Sequence, residues 1–389
     1  MHALSSCTSN NSRSGNNVKP MLCLLALLIF TTNLVAAPPR EPMDEAIGRG
    51  LVFLKQNQQN DGSWPIAGGG GGGFGRQNFG GGGGSGDPAV TSLAVMAFMS
   101  AGHVPGEGKY GKAIEQGIRF VMSTQGHNGL FSAPQSGGTE MYVHGICCLM
   151  LAEAAGMTEG KVADELRQRL EAGITVILAG QRKANAGRDA GGWRYRVEGF
   201  DADLSVTGWQ LMALRGSRNL GCDVPLDRIK AAVEYVQRCH DPISGGYRYM
   251  TNSQVTVPCT GTGILALELC GKEYHRSPEA LKAGSYVLKS PLHAGSHHFF
   301  YGVYYTSQGM FQLGDNYWKS YRTQLHALLL RSNPPRNDGA WYGGGGFDDT
   351  RFGPSYCTAM AILALTVEYR FLPIYQRFEE PIEKDANDP

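Results

Sequence analysis

The sequence repeats itself, and that repeat limits the fold more than any other feature. Arg49 to Trp64 reads RGLVFLKQNQQNDGSW, and Gly117 to Phe131 reads GIRFVMSTQGHNGLF. Each copy has a glycine, an aromatic and an aliphatic residue three and four positions on, a glutamine four later, and a Gly-x-aromatic close. Gly173 to Gln181 repeats the first half, and Gly191-Gly192-Trp193 closes it after an insertion. Ala232 to Tyr247 is a fourth copy. NDGAW at Asn337 to Trp341 repeats NDGSW at Asn60 to Trp64, and a degenerate copy surrounds Tyr286 and Val287. Apolar residues at helical spacing followed by Asn-Asp-Gly or Gly-Gly predict a helix that ends in a turn. The aromatic beyond the turn is expected to pack back on the helix end.

A second element follows each turn. Thr91 to Phe98, His144 to Leu151, Thr207 to Leu214, Thr260 to Leu267, Thr306 to Leu313 and Thr358 to Leu365 align without gaps. All six are almost wholly apolar, and a helix apolar all round has to be buried. Six buried helices and six amphipathic ones fit if the first set forms an inner ring and the second surrounds it, a closed relative of the helical solenoid. The expected fold is therefore all-α: an α/α toroid of six helical hairpins over residues 43–375, followed by a tail at 376–389. Every turn from an outer to an inner helix then emerges at one end, the mouth. Two glycine-rich stretches, 68–86 and 343–346, lie on such connections and read as an idle flexible insertion or as a lid.

Residues 1–37 read as an export signal, or as an uncleaved anchor that would associate the protein with a membrane surface. A basic, Ser/Asn-rich start leads into MLCLLALLIFTTNLVAA, which is short for a membrane span. The expected location is periplasmic or extracellular. A net charge of +1 gives no reason to expect a nucleic-acid partner. Seven cysteines follow the leader, an odd number with no CxxC. Cys147, Cys148, Cys259, Cys270 and Cys357 lie in apolar runs and are expected to act as small buried hydrophobes.

The outer-helix motif resembles the Gln-Trp motif of squalene and hopene cyclases. Arg49, Gly50, Phe53, Leu54, Gln58, Gly62 and Trp64 match its spacing. The chain looks like a prenyltransferase and squalene-oxidase repeat protein of the terpenoid cyclase and protein prenyltransferase superfamily, closest to the C-terminal domain of a squalene–hopene cyclase. The resemblance implies a hydrophobic, isoprenoid ligand and no cofactor. It departs from complete cyclases in having room for one ring rather than two.

The acidic segment Asp201-Ala-Asp203-Leu204-Ser205 resembles the cyclases' DxDD motif, with Leu204 in place of the last acid. By that likeness Asp201 and Asp203 are the catalytic candidates. A second register places Ser205 at the protonating position. The plainer reading is helix capping, because Asp87, Glu140 and Asp203 all lie four residues before the aligned Thr or His. Trp209, Tyr301, Tyr304 and Tyr305 are the aromatic candidates for the ligand site, since aromatic faces stabilise cations. They read equally as core. His144 opens an inner helix and is a further ligand-site candidate. Arg194 and Arg248, in the near-copies Gly-Gly-Trp-Arg-Tyr and Gly-Gly-Tyr-Arg-Tyr, are expected either to bind an anion or to pair with Glu198 or Asp201. No metal is expected. Cys259, Cys357 and His144 lack the aspartate that would complete a zinc set, and no carboxylate or cysteine completes one near His293, His297 and His298. Besides the isoprenoid-binding toroid, a non-catalytic scaffold and a carbohydrate-acting toroid posing Asp87 and Asp203 remain open.

Overall fold

The computed structural model describes residues 42–66, 86–133, 138–270, 272–343 and 347–375. Residues 1–37, expected to be an export segment, the 376–389 tail and nearly all of both glycine-rich stretches lie outside them. Among the described residues twelve α-helices alternate as expected from the repeat. The outer set is α1 (Pro42–Gln56), α3 (Gly111–Ser123), α5 (Gly160–Gly180), α7 (Leu226–Arg238), α9 (Pro278–Lys289) and α11 (Asp315–Ala327). The inner set is α2 (Pro88–Ser100), α4 (Glu140–Ala155), α6 (Leu204–Asn219), α8 (Val257–Leu269), α10 (Phe299–Leu313) and α12 (Phe347–Leu365). Each inner helix touches the next, and α12 returns to α2, so the ring is closed. A two-stranded hairpin, β1 (Tyr247–Arg248) with β2 (Val255–Thr256), decorates the fourth connection.

Burial follows the pattern of the sequence. Nearly every residue of α2, α4 and α8 is buried, while α3 and α7 bury one stripe. Small residues let inner helices touch backbone to backbone: a Cβ on Gly261 of α8 would lie 2.6 Å from the Thr306 backbone nitrogen of α10. α12 bends where Gly353 and Pro354 interrupt its first half. All seven described cysteines are buried, and no disulfide joins any two of them.

The repeat motif is a set of hydrogen bonds. The turn aromatic inserts under its own helix, and its indole closes the helix end: Trp64 Nε1 donates to Leu54 O at 2.7 Å, Trp193 to Ile177 O at 2.7 Å and Trp341 to Leu329 O at 3.1 Å. The backbone N–H of the same aromatic donates to the aligned threonine of the inner helix. Trp64 pairs with Thr91 at 2.9 Å, and Trp193 with Thr207, Tyr247 with Thr260 and Trp341 with Thr358, each at 3.0 Å. The motif glutamine joins one hairpin to the next. Gln58 bridges Gly62 O and Ala113 O, Gln125 bridges Gly129 O and Arg169 O, and Gln181 bridges Gly191 O and Arg228 O.

Candidate functional site

The mouth gathers the first turns of the inner helices, and one cluster there carries most of the candidate chemistry. Asp203 opens α6. Its Oδ1 accepts the Val206 N–H at 2.8 Å, and its side chain is fully buried. Oδ2 makes no aligned hydrogen bond; it sits 3.4 Å from Arg194 Nε, with the Tyr249 hydroxyl close by. Burial pushes this carboxyl up to about 6, against the opposing pull of the Val206 N–H, Tyr249 and Arg194. Asp201 is half-exposed and pairs tightly with Arg194.

Phenols surround the acid. Tyr142 of α4 hydrogen-bonds Ser205 of α6, and Tyr301 of α10 reaches Thr262 of α8 at 3.2 Å. Tyr195 and Tyr249, one from each Gly-Gly-aromatic-Arg-Tyr copy, share a hydroxyl–hydroxyl bond of 2.6 Å. Tyr195 stacks on Tyr142, with ring centroids 6.0 Å apart. Burial and then the Asp203 charge raise the Tyr142 and Tyr249 phenols, so both stay protonated. Arg182, 6% exposed, staples the loop above: it donates to the carbonyls of Gly180, Val197 and Asp201.

The structure separates the sequence candidates into three groups. Asp201, Asp203, Arg194 and Tyr301 converge at the mouth. Trp209, Tyr304 and Tyr305 lie deeper: Trp209 stacks on Tyr304 at 5.4 Å and meets Tyr305 edge-on at 5.2 Å. Because α6 and α10 are separated by α8 in the ring, this stack lies on the inner side of the ring behind α8, and all three residues are no more than 2% exposed. They act as core. Trp209 is six residues beyond Asp203, about 9 Å deeper along α6.

His144 and Arg248 are committed elsewhere. His144 Nδ1 accepts the Phe131 N–H at 3.0 Å and Nε2 bonds Gly173 O at 3.0 Å, so neither ring nitrogen is left for a ligand. Arg248 binds His240 O at 2.9 Å and Asp241 at 2.7 Å within its own turn. Arg194 is likewise neutralised by acids rather than open to an anion. Burial works against its charge, but Asp201 more than offsets this and raises its pKa. Capping holds for Asp87, which binds the Ala89 and Val90 N–H groups at 2.9 Å, and for Asp203. It fails for Glu140, which is the first residue of α4, with Thr139 in the cap position. Thr256 caps α8 instead, through Cys259. Among the described residues no three His, Cys, Asp or Glu side chains gather as a metal set.

Tyr142, Tyr249 and Arg182 were not singled out by the sequence reasoning. The signal was present for Tyr249, since the tyrosine that ends both loop copies is the residue that meets its twin.

No family model matches the chain, and neither does any curated protein. Solved structures do. The α-1,6-mannanase GH76A of Salegentibacter sp. HEL1_6 aligns with a TM-score of 0.62 and 12% identity over 85% of this chain and 99% of that one. A family 76 glycoside hydrolase from a bovine Bacteroides thetaiotaomicron strain gives 0.60 and 11% over 85% and 78%. The type II terpene cyclase MstE from Scytonema gives 0.53 and 16% over 85% and 99%. The chain is an α/α toroid, a fold shared by carbohydrate-acting and terpenoid-acting proteins.

Proposed function

We propose that this toroid binds an isoprenoid-like, unsaturated ligand at its mouth and that Asp203 protonates it. The Asp203 carboxyl carries the reading: it is buried, poised near pH 6 and ringed by phenols, about 9 Å above the aromatic stack. A carboxylic acid in that state can donate its proton. The O–H bond breaks, the alkene π pair forms a C–H bond, and the tyrosine rings at the mouth stabilise the resulting carbocation. Loss of a proton from the neighbouring carbon to the Asp203 carboxylate restores the acid, so the net reaction is an isomerisation or cyclisation. Because Trp209, Tyr304 and Tyr305 are packed and buried below Asp203, the ligand is held at the mouth. Support also comes from the Gln-Trp repeats and from MstE, described in complexes with geranylgeranyl dihydroxybenzoate as substrate and merosterolic acid A as product. The composition of residues 1–37 supports export as part of this proposal, with an uncleaved anchor as its other form. No helix among the described residues is long and apolar enough to cross a membrane.

One observation favours a carbohydrate reading. Asp201 and Asp203 share Arg194, which brings two carboxylates together. The mannanase GH76A is described as inactive when two consecutive aspartates are replaced, in a complex with α-1,6-mannotriose.

The test is to incubate the full chain, and its Asp203→Asn variant, with squalene, geranylgeraniol and α-1,6-mannotriose. Mass spectrometry and thermal unfolding are the readouts. A rearranged isoprenoid of unchanged mass, or a rise in Tm that the variant lacks, supports the proposal. Cleaved mannotriose supports the carbohydrate reading instead. If none of the three ligands reacts or stabilises the chain, both readings fall and a non-catalytic scaffold stands.

A further inference from the structure

A second site lies at the opposite end of the ring. α4 and α6 end there, and the 366–375 segment crosses beneath them: the Leu372 and Ile374 side chains are buried, and Thr366 Oγ1 bonds Ser100 at 2.8 Å. Between the two helix ends and this segment is a cavity of about 250 Å³, lined by Glu153, Met157, Asn219, Leu220, Phe371 and Pro373 among others. Glu153 is 1% exposed. Its Oε2 accepts the Ile374 N–H at 3.2 Å, and Oε1 has no partner. The Asn219 amide nitrogen also has none. Leaving such groups unpaired is costly in a low-dielectric interior.

The surroundings select the charge of what would bind. Helix C-termini carry partial negative charge and favour cations; α4 and α6 both end at this cavity, with Gly156 and Leu220 as their C-caps. Among the described residues no basic side chain is paired with Glu153, whose carboxyl burial alone pushes up to about 8 against the Ile374 bond. The walls are otherwise apolar, and the volume suits a small organic molecule. We propose that this floor cavity binds a small primary amine. Its ammonium pairs with Glu153 Oε1, its short apolar body lies against Met157 and Leu220, and a hydroxyl, where present, accepts from Asn219. On binding, the Glu153 carboxyl releases its proton to solvent and pairs as a carboxylate with the ammonium. This site is independent of the Asp203 mouth, about 24 Å away along α6.

Calorimetry on the full chain at pH 7 tests this with butylamine, ethanolamine, butanol and butyrate, in two buffers of different ionisation enthalpy. The expected result is saturable binding of the amines with proton release, and none for butanol or butyrate. Glu153→Gln should weaken amine binding by about tenfold or more, the worth of one charge-assisted bond. Asn219→Leu, at a partly exposed site, should weaken ethanolamine more than butylamine, and it keeps the proposal testable if Glu153→Gln does not fold. The proposal is overturned by heats indistinguishable from dilution, by equal binding of the alcohol or the acid, or by undiminished amine binding in both variants. An ordered water on Oε1 would produce the first of these results.

Discussion

His144 Nδ1 accepts the backbone N–H of Phe131 at 3.0 Å, the bond that a threonine hydroxyl makes in the neighbouring hairpins. The alignment that placed His144 in register with five threonines therefore reflects one structural job for four of them, Thr91, Thr207, Thr260 and Thr358, while Thr306 bonds Gly302 O and the Tyr321 hydroxyl instead. The histidine differs in adding a second bond, Nε2 to Gly173 O, which ties α4 to α5.

Protonation would break that arrangement, because Nδ1 must stay bare to accept. Burial lowers the His144 pKa to about 4 from the ordinary 6.5. Between those values the unfolded chain takes up a proton that the folded chain refuses, so stability is lost as pH falls from about 6.5 to 4. The size is about 3 kcal/mol. His144→Thr keeps the Phe131 bond and removes this penalty. In urea titrations the variant should gain on the native chain by about that amount between pH 8 and pH 4.

Asp203 works with the opposite sign. Its folded pKa is raised to about 6 from 3.8 by burial, so the folded chain keeps a proton that the unfolded chain gives up. Stability therefore falls as pH rises from about 3.8 to 6, by about 3 kcal/mol. Asparagine caps helices about as well as aspartate. Asp203→Asn should thus keep the fold, lose that pH dependence and abolish any proton-transfer activity. In the native chain that activity should decline above pH 6. Asp203→Ala should instead cost about 1–2 kcal/mol through the lost cap.

The repeat made the ring legible because the residues that define it face their own hairpin or the next one. Gln58 reaches Gly62 O four residues on and Trp64 reaches Leu54 O ten residues back, so their spacing carries the geometry. The mouth was only half legible. Asp201 and Asp203 stood out as acids before a helix, and Arg194 with Asp201 as a loop pair. The Tyr142–Ser205 and Tyr195–Tyr249 contacts join residues 63 and 54 positions apart, and local spacing does not encode such pairs. His144 was misjudged because a polar residue among apolar ones reads as chemistry until its two backbone partners are seen. Trp209 had two readings in sequence, and only the ring order of α6, α8 and α10 places it behind α8 on the inner side of the ring.

Ring closure is testable at one glycine. Gly339 has φ +87°, and a Cβ there would lie 2.5 Å from the Arg49 carbonyl of α1. This contact joins the last hairpin to the first, alongside the bond from Arg49 Nη2 to Pro335 O at 3.1 Å. Gly339→Ala combines left-handed strain of about 1–2 kcal/mol with a clash of similar size. It should lower stability by roughly 2–4 kcal/mol in urea unfolding. Gly187→Ala is the control. Gly187 also has positive φ but nothing within 4 Å, so only the strain should appear.

Trp209 decides whether the inner side of the ring is core or binding surface. It is 2% exposed and packs on Tyr304 and Tyr305. A tryptophan so placed leaves a large cavity when truncated, and Trp209→Ala should cost about 3–5 kcal/mol. Trp209→Phe keeps an aromatic face toward Tyr304 and should cost less than half as much. Thermal unfolding with and without an apolar probe such as benzene separates the two roles. As core, the alanine variant loses stability and regains part of it with benzene, as dry apolar cavities do, while the native chain is unaffected. Were Trp209 the wall of an open ligand chamber, the native chain would already respond to benzene and truncation would cost little, because no packed contacts would be lost.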